Sequence, residues 1–148
     1  IKDSCIHFET YFMPLTTHQL SIRVYYEDTD AGGIVYYANY LKYSERARTE
    51  WLRSLDINQS NFLEHSLGFV VRKVEMDNIA SAKLDDLITV STQIIELKKA
   101  SIVFNQIITN QHHQELCRGK VKVACVDFAK SRPCAIPSTI LGALKSVS

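Results

Sequence analysis

Two aspartates and two glycines lie close together in the segment EDTDAGG, which covers residues 27–33. A carboxylate such as that of Asp28 or Asp30 can attack a carbonyl carbon or accept a proton from water. Gly32 and Gly33 have no Cβ, so a substrate can approach their backbone closely. Aspartates also form turns and cap helices. From the residues alone, these structural roles are favoured over catalysis.

A long helix is predicted directly after this segment, over residues 38–55. At 100° per residue its core-facing side chains form one wide stripe, made by Tyr40, Leu41, Ser44, Ala47, Trp51, Leu52 and Leu55. Asn39 is the predicted cap of this helix. The first amides of a helix are unpaired and carry a partial positive charge. A carbonyl oxygen held there would be polarised beside a carboxylate, an arrangement suited to acyl transfer to water.

The remaining sequence predicts one sheet and two short helices. Alternating apolar residues indicate strands over residues 19–26, 69–77, 87–97, 101–109 and 116–128, and helices are predicted over 58–65 and 138–145. The turns between the last three strands are short, which indicates antiparallel neighbours. One long helix over such a sheet is an α+β architecture. We expect a single domain, residues 18–148, preceded by an N-terminal arm, residues 1–17.

One helix covers only part of a five-stranded sheet, so other surfaces of the sheet need a partner. The strands carry apolar residues on both faces, with Ile102 and Phe104 on one face and Val103 and Ile107 on the other. The edges of a sheet also require pairing or protection. The sequence therefore predicts a homodimer joined at the sheet edges, and leaves further pairing into a tetramer open.

Composition excludes several classes of protein. The chain has 148 residues, 46% of them apolar, with 17 basic and 16 acidic residues and a net charge of +1. This balance gives no electrostatic footprint for nucleic acid, and no run of 18 apolar residues is present to span a membrane. Residues 1–14 lack the features of a signal peptide, so a cytoplasmic location is expected. The four cysteines show no C-x-x-C spacing, and neither a disulfide framework nor a metal site is predicted.

The loop and the helix together resemble a known family. The stretch YYEDTDAGGIVYYANYL, residues 25–41, is followed by ERARTEWLR, residues 45–53. Both are similar to the hotdog-fold acyl-CoA thioesterases of the hydroxybenzoyl-CoA thioesterase-like family, and most of all to its Tol–Pal-associated branch. The similarity covers about residues 20–145. It implies a hotdog fold, with a long central helix on a five-stranded antiparallel sheet, and hydrolysis of an acyl-CoA to a free acid and coenzyme A.

The resemblance also implies roles for residues. It places catalysis on Asp30, as a nucleophile or a general base, and so reverses the preference for a structural role. It implies that the backbone N–H near Tyr37, where many members of the branch carry histidine, binds the thioester carbonyl. The substrate-binding residues expected beside them are Gly32, Gly33, Val35 and Asn39. A related hotdog family has its catalytic glutamate on this helix, so Glu45 is the second candidate base.

Charged residues outside the loop have expected partners too. Asp28 is expected to support the loop, and Arg48 projects into the apolar stripe, where it needs a carboxylate from Glu45 or Asp28. Coenzyme A requires cations for its phosphates, and the candidates are Arg72, Lys73, Lys130 and Arg132. No metal or bound cofactor is implied, because coenzyme A is part of the substrate and then a product. Acyl carrier protein is an alternative carrier of the acyl group.

Two other functions are weighed against the thioesterase. One is a non-catalytic adaptor that binds acyl carrier protein or lipid-synthesis enzymes, for which stable acyl-carrier complexes without hydrolysis would be the sign. The other is a hotdog dehydratase, which needs a histidine beside a carboxylate, and the loop–helix motif contains no histidine. The sequence leaves the acyl chain length open, since one methylene changes binding by only about 1 kcal/mol.

Overall fold

An antiparallel sheet forms the framework of the molecule. The computed structural model describes residues 16–148, so the first fifteen residues of the predicted arm lie outside the described residues. The sheet has the strand order β1-β3-β4-β5-β2, and β6 is added on β5. The strands are β1 (His18–Arg23), β2 (Leu67–Asn78), β3 (Leu87–Leu97), β4 (Ser101–Thr109), β5 (Glu115–Asp127) and β6 (Arg132–Pro133). The five predicted strands are confirmed, and the two-residue β6 is too short for a periodic pattern to reveal.

Three helices accompany the sheet: α1 (Asn39–Ser54), α2 (Gln59–Glu64) and α3 (Ser138–Lys145). The long helix α1 packs mainly against β1 and β3. Tight turns join β3 to β4 and β4 to β5, which makes these strands antiparallel neighbours. The predicted α+β architecture is therefore confirmed. No helix within residues 16–148 is long and apolar enough to cross a membrane.

The core divides into two apolar clusters along α1. One surrounds the C-terminal half of the helix and includes Trp51, Leu52, Phe62, Ile94, Ile102 and Phe104. The other lies under the N-terminal half and includes Val24, Tyr40, Tyr43, Ala47, Ile88, Val90 and Ile108. On each element the division falls at a polar residue: Arg48 on α1, Thr92 on β3 and Gln106 on β4.

These three buried polar residues form a bridge from the helix to the sheet. Arg48 donates through Nη1 to Oε1 of Gln106 at 2.9 Å. Gln106 in turn donates through Nε2 to Oγ1 of Thr92 at 3.0 Å and to the carbonyl of Ser44 at 2.9 Å. Each of the three side chains has a hydrogen-bond partner within the bridge, as is usual for buried polar groups. The bridge therefore fixes the position of α1 over the sheet.

Two predicted details of α1 are wrong. Leu41 was expected in the buried stripe but is 43% exposed, whereas Tyr43, outside the predicted stripe, is 1% exposed. Helix α1 packs on β1 and β3, and this contact buries the side of the helix that carries Tyr43. Leu41 lies on the side that faces β2, where an open space remains between helix and strand. Asn39 is the first helical residue and not the cap; its side chain donates back to the carbonyl of Asp28 at 2.8 Å.

The first strand is also shorter than predicted. Strand β1 ends at Arg23, and Tyr26, the last residue of the predicted strand, begins a short 3-10 turn (Tyr26–Asp28) with 82% of its surface exposed. The turn forms because the Asp28 carboxylate accepts from the amide of Tyr25 at 2.8 Å, while the Asp28 amide donates to the Tyr25 carbonyl at 3.0 Å. These local bonds compete successfully with continued strand pairing.

Candidate active site

The Asp30 loop is a tight turn closed by its own backbone. The amide of Gly33 donates to the carbonyl of Asp30 at 3.0 Å, and the amide of Asp30 donates to the carbonyl of Ile34 at 2.9 Å. Gly33 has a φ of 76°, a left-handed conformation that glycine adopts without strain. Oδ1 of Asp30 accepts from the amide of Gly32 at 2.8 Å. Both glycines thus shape the loop that orients the carboxylate.

The loop is docked on the segment that precedes β3. The amide of Val35 donates to the carbonyl of Ala82 at 2.8 Å, and Ile34 forms a β-bridge with Lys83. The Val35 side chain is buried, and the Tyr40 hydroxyl accepts from the amide of Ala82 at 2.9 Å. Burial raises the pKa of Tyr40, so this hydroxyl stays neutral. Val35 therefore anchors the loop in the core.

Helix α1 begins with free amides next to this loop. The amide of Asn39 donates to the carbonyl of Tyr36 at 2.8 Å, and that of Tyr40 donates to the carbonyl of Tyr37 at 3.2 Å. Within residues 16–148 the amides of Tyr37 and Ala38 have no hydrogen-bond acceptor. Tyr37 and Ala38 directly precede the first helical residue, at the end of the helix that carries a partial positive charge. They are therefore ready-made donors for an oxygen of a ligand.

Asp28 ties the loop to the start of α1. Its carbonyl accepts from the amide of Tyr36 at 3.1 Å and from the Asn39 side chain at 2.8 Å. Burial, followed by the charge of Asp28, raises the pKa of the Tyr43 hydroxyl, which places the Asp28 carboxylate near the buried side of the helix. These contacts agree with the supporting role expected of Asp28.

Asp30 and the start of α1 line one cleft of about 330 Å³. Tyr36 and Tyr37 stand on the same side as Asp30, and residues 78–81, at the end of β2 and just beyond it, form the opposite side. The Tyr37 side chain is 62% exposed, so it is a surface aromatic and not part of the core. The cleft therefore brings together the Asp30 carboxylate, a residue with an unpaired amide, Tyr37, and an aromatic rim.

Glu45 lies two turns farther along α1, outside this cleft. Its Oε2 accepts from Nη2 of Arg48 at 2.7 Å, and its Oε1 accepts from the hydroxyl of Thr49 at 2.9 Å. Burial lowers the pKa of Arg48, and the Glu45 carboxylate opposes that effect. Arg48 was expected to pair with Glu45 or Asp28, and it pairs with Glu45. Both oxygens of this carboxylate are thus engaged.

Arg72 and Lys73 lie in the middle of the edge strand β2. Arg72 is the extra residue of a bulge between Val71 and Lys73. Nζ of Lys73 forms an ion pair with Oε1 of Glu75 at 2.9 Å, and both side chains of that pair are mostly exposed. Neither cation lines the Asp30 cleft.

Arg132 and Lys130 are farther away within one chain. Arg132 pairs with Asp127, and Asp127 pairs with Leu67 at the start of β2. The Asp30 cleft lies at the other end of that strand, beside Asn78. Twelve residues of strand span roughly 36 Å at about 3.3 Å per residue. One chain therefore does not bring these cations to the carboxylate.

The arrangement around Asp30 suits attack on a carbonyl group that is polarised by amides, and comparison with known proteins gives the family. A model of the thioesterase-like superfamily matches residues 24–144. The chain belongs to the thioesterase-like superfamily. The hotdog fold expected from the resemblance is thereby confirmed, and so is membership of a class of thioester hydrolases.

Relatives in this superfamily match nearly the whole described chain. An acyl-CoA thioesterase, YbgC, of Haemophilus influenzae is 49% identical over 82% of this chain and 90% of the relative. An acyl-CoA thioester hydrolase, YbgC, of Escherichia coli is 42% identical over 90% of this chain and 99% of the relative. The crystal structure of a probable thioesterase from Bartonella henselae is 34% identical, with a TM-score of 0.77, over 82% of this chain and 99% of that one.

Two parts of the site were not predicted. Residues 78–81 form a wall of the cleft, and no motif in the sequence marks them, because their role depends on where β2 ends. Gln106 was also missed, although a signal exists: it occupies a buried position in the alternating series Ile102, Phe104, Gln106, Ile108. A polar residue at such a position requires a buried partner.

Proposed function

We propose that this chain hydrolyses acyl-CoA thioesters in the cleft between the Asp30 loop and the start of α1. One observation carries the proposal: Asp30 and the free amide of Tyr37 border the same cleft. A thioester whose carbonyl oxygen accepts from that amide would present its carbon to the carboxylate. The names of the relatives at 42% and 49% identity support a coenzyme A ester as the substrate.

The Tyr37 amide would stabilise the negative charge that develops on the carbonyl oxygen. Donors fixed in advance at such a position act without reorganisation, which is why an oxyanion site is often the largest single contribution to catalysis. The side chain at position 37 is not needed for this role, since every residue except proline supplies an N–H. Tyrosine in place of the histidine common in the branch is therefore compatible with hydrolysis.

Asp30 would act in one of two ways. As a nucleophile, it attacks the carbonyl carbon, expels coenzyme A as a thiolate and forms an anhydride that water then cleaves. As a general base, it accepts a proton from the water that attacks the carbonyl. Both routes consume one water and release a carboxylic acid and coenzyme A. The thiol, with a pKa near 8.5 by analogy with cysteine, leaves without a general acid.

The hydrogen bonds of Asp30 favour attack by one of its oxygens. Oδ1 is held by the amide of Gly32, whereas Oδ2 has no hydrogen-bond partner among residues 16–148. A carboxylate fixed through one oxygen and open at the other is oriented without being neutralised. Glu45, by contrast, has both oxygens engaged by Arg48 and Thr49. We therefore place the reaction at Asp30 and keep Glu45 only as the alternative base.

A homodimer is part of the proposal. Strand β2 is an edge of the sheet, twelve residues long, and it exposes Val71 and Val74. Such an edge is a template for pairing with another chain. Antiparallel pairing of two β2 strands about a twofold axis would bring the Leu67 end of the partner subunit toward the Asn78 end of this chain. Light scattering at micromolar concentration would then give twice the chain mass of 16.8 kDa.

This pairing would also bring cations toward the cleft. Arg132 of the partner subunit, at the Leu67 end of its sheet, would approach the Asp30 end of this chain, and Arg72 and Lys73 would lie near the dimer axis. Guanidinium and ammonium groups bind phosphates well. Reversing the charge at Arg132 should therefore raise the KM for acyl-CoA and leave kcat little changed.

The direct test of the proposed function is thiol release from a panel of acyl-CoA esters, from short aliphatic to long-chain and aromatic. Asp30→Asn should lower turnover by about 10²- to 10⁴-fold, the range expected for loss of a catalytic acid or base. Asp56→Asn is the matched control. Asp56 is exposed at the far end of α1 and has a φ of 60°, a conformation that asparagine tolerates.

Retention of more than about a tenth of wild-type turnover by Asp30→Asn would reject a direct role for this carboxylate. If no coenzyme A ester is hydrolysed, the same panel on acyl carrier protein separates a thioesterase for that carrier from an adaptor, which would bind without hydrolysis. A cytoplasmic location, expected from the N-terminal sequence, and an association with the Tol–Pal system, implied by the resemblance, stay predictions.

A further inference from the structure

We propose that the ion pair between Glu45 and Arg48 sets the longest acyl chain that the site accepts. The inference rests on the proposed function, because it concerns the acyl part of the same thioester. It starts from an open apolar seam between α1 and the edge strand β2. The seam has a volume of about 510 Å³. Its lining residues are the apolar Leu41, Val71, Val74 and Val121 and the charged Lys42, Glu45, Arg46 and Arg48.

The bulge in β2 creates the apolar wall of this seam. Val71 pairs with Val123 and Val74 pairs with Val121, although the two β2 residues are three positions apart. Without a bulge, strict alternation would turn one of them to the opposite face of the sheet. Arg72 is the extra residue, so both valines face the same side as the buried Val121 and Val123. They remain 49% and 40% exposed, respectively, because no side chain of α1 covers them.

The seam and the Asp30 cleft follow one another along α1 and β2. On α1, Leu41 of the seam comes directly after Tyr40, which lines the cleft. On β2, Val74 lies four residues before Asn78, which borders the cleft. The start of α1 and the end of β2 therefore border the cleft, and the next turns of α1 and the middle of β2 border the seam. An acyl chain whose carbonyl oxygen is bound at the Tyr37 amide would run along the seam past Leu41 and Val74.

The charged pair closes the far end of the seam. Beyond it is a small hollow of about 40 Å³ whose apolar walls include Leu52, Phe69 and Phe104. Glu45, Arg48 and Val71 border both the seam and the hollow. Arg48 is fixed, since Gln106 holds Nη1 and Glu45 holds Nη2. An alkyl chain that reached the pair would have to displace a hydrogen-bonded buried charge, which is costly.

The distance to this barrier predicts a chain length. Glu45 lies eight residues beyond Tyr37, or roughly 12 Å at 1.5 Å per helical residue. An extended chain advances about 1.2 Å per bond, from about 3.5 Å for the three backbone bonds of one residue. The seam therefore accepts an acyl chain of about ten bonds. Chains of about that length or shorter should be hydrolysed best.

The test measures kcat/KM for straight-chain acyl-CoA esters from two to sixteen carbons, below the concentrations at which they form micelles. The wild type should decline beyond about ten carbons. Glu45→Ala removes one half of the barrier and should raise the ratio of tetradecanoyl to octanoyl hydrolysis by about tenfold, since one methylene in an apolar pocket is already worth about tenfold or more. Glu50→Ala is the matched control: Glu50 pairs with Arg53 at 3.3 Å on the solvent side of the same helix.

Two further variants keep the test decisive. Arg48 is buried, so loss of its carboxylate partner could destabilise the fold. The double variant Glu45→Ala/Arg48→Met removes both charges together, and it should extend the accepted chain length at least as far as the single variant. Glu45→Gln keeps one acceptor oxygen for Arg48 and gains an amide that can donate to the Thr49 hydroxyl, so it should preserve the wild-type length profile. Circular dichroism melting shows whether each variant is folded.

Three outcomes would overturn the inference. One is a wild type that hydrolyses hexadecanoyl-CoA as well as octanoyl-CoA. Another is an unchanged length profile in folded Glu45→Ala and in the double variant. The third is loss of turnover at every length in Glu45→Gln, which would make Glu45 the base. Failure of the proposed function looks different, because no coenzyme A ester of any length would then be hydrolysed by the wild type.

Discussion

The two ends of α1 are built in opposite ways. At the C-terminal end Trp51 is buried, stacked on His18 with ring centroids 5.9 Å apart and set edge-on to Phe104 at 6.3 Å. At the N-terminal end Tyr36 and Tyr37 are exposed, and the amides of Tyr37 and Ala38 are unpaired within the described residues. One helix thus combines a closed apolar end with an open polar one.

The closed end contributes mainly to the stability of the fold, and the open end mainly to the proposed chemistry. The closed end buries large apolar side chains, which stabilise the fold in proportion to the area removed from water. The open end keeps backbone donors and the second oxygen of the Asp30 carboxylate available to a substrate. The bridge of Arg48, Gln106 and Thr92 lies between them. Substitutions at the two ends should therefore have different consequences.

The largest effect should come from the closed end, on stability alone. Trp51→Ala removes a side chain that is 3% exposed, and large-to-alanine changes of buried tryptophan cost about 3–5 kcal/mol. Urea denaturation should show this loss. Turnover per folded molecule, measured well below the melting temperature, should stay close to that of the wild type. A loss of turnover in the folded variant would contradict the claim that Trp51 contributes to stability alone.

The open end should show the reverse pattern. Tyr37→Pro removes the amide, which has no acceptor within residues 16–148, and should lower kcat by about 10²- to 10³-fold, the effect of losing one oxyanion donor. Tyr37→Phe keeps the amide and should retain most of the activity. Proline is tolerated at the start of a helix, so the melting temperatures of the two variants should be similar. Equal activities would contradict a role for the amide.

A substitution in the bridge should affect both ends moderately. Gln106→Leu leaves Arg48 without one acceptor and Thr92 without its donor. An unsatisfied buried polar group costs about 1–3 kcal/mol, and denaturation in urea measures the loss. Gln106→Glu, which retains an acceptor for Arg48, should be destabilised less. A Leu variant as stable as the wild type would mean that the bridge does not fix α1.

The smallest effect should appear at high pH. Burial, followed by the charge of Asp77, raises the pKa of the Cys117 thiol to about 11. An unfolded thiol ionises near pH 8.5, so the unfolded state loses its proton first and stability falls as the pH rises from 8.5 toward 11. For this one group the loss between pH 8 and 9.5 is about 1 kcal/mol. Cys117→Ala should reduce that loss, and an identical pH dependence in both proteins would refute the assignment.

The sequence predicts the elements of the fold well, because period and turn residues are local properties. The five long strands and α1 follow from alternation and from the spacing of apolar residues. The exposed Leu41 and the buried Tyr43 were not predictable, because they depend on how far α1 leans toward β1 and β3. Cys117, Cys125 and Cys134 are free thiols within residues 16–148.

The candidate site also has a part that the sequence could predict and a part that it could not. The loop chemistry of Asp30, Gly32 and Gly33 and the helix start at Tyr37 could be proposed from a contiguous motif. The wall formed by residues 78–81 depends on where β2 ends, and the fixed position of Arg48 depends on Gln106 of β4. The bulge at Arg72, which turns Val71 and Val74 to one face, leaves no recognisable signal in the sequence.

The central claim is that the open end of α1 polarises the thioester carbonyl, and infrared spectroscopy of a bound substrate tests it most directly. A medium-chain acyl-CoA with a ¹³C-labelled carbonyl would be bound to Asp30→Asn, which turns it over slowly, and to Asp30→Asn/Tyr37→Pro. Polarisation by the Tyr37 amide should lower the carbonyl stretching frequency in the first complex relative to that in water, and the second complex should lack this shift. A frequency in the first complex equal to or above that in water would contradict this claim.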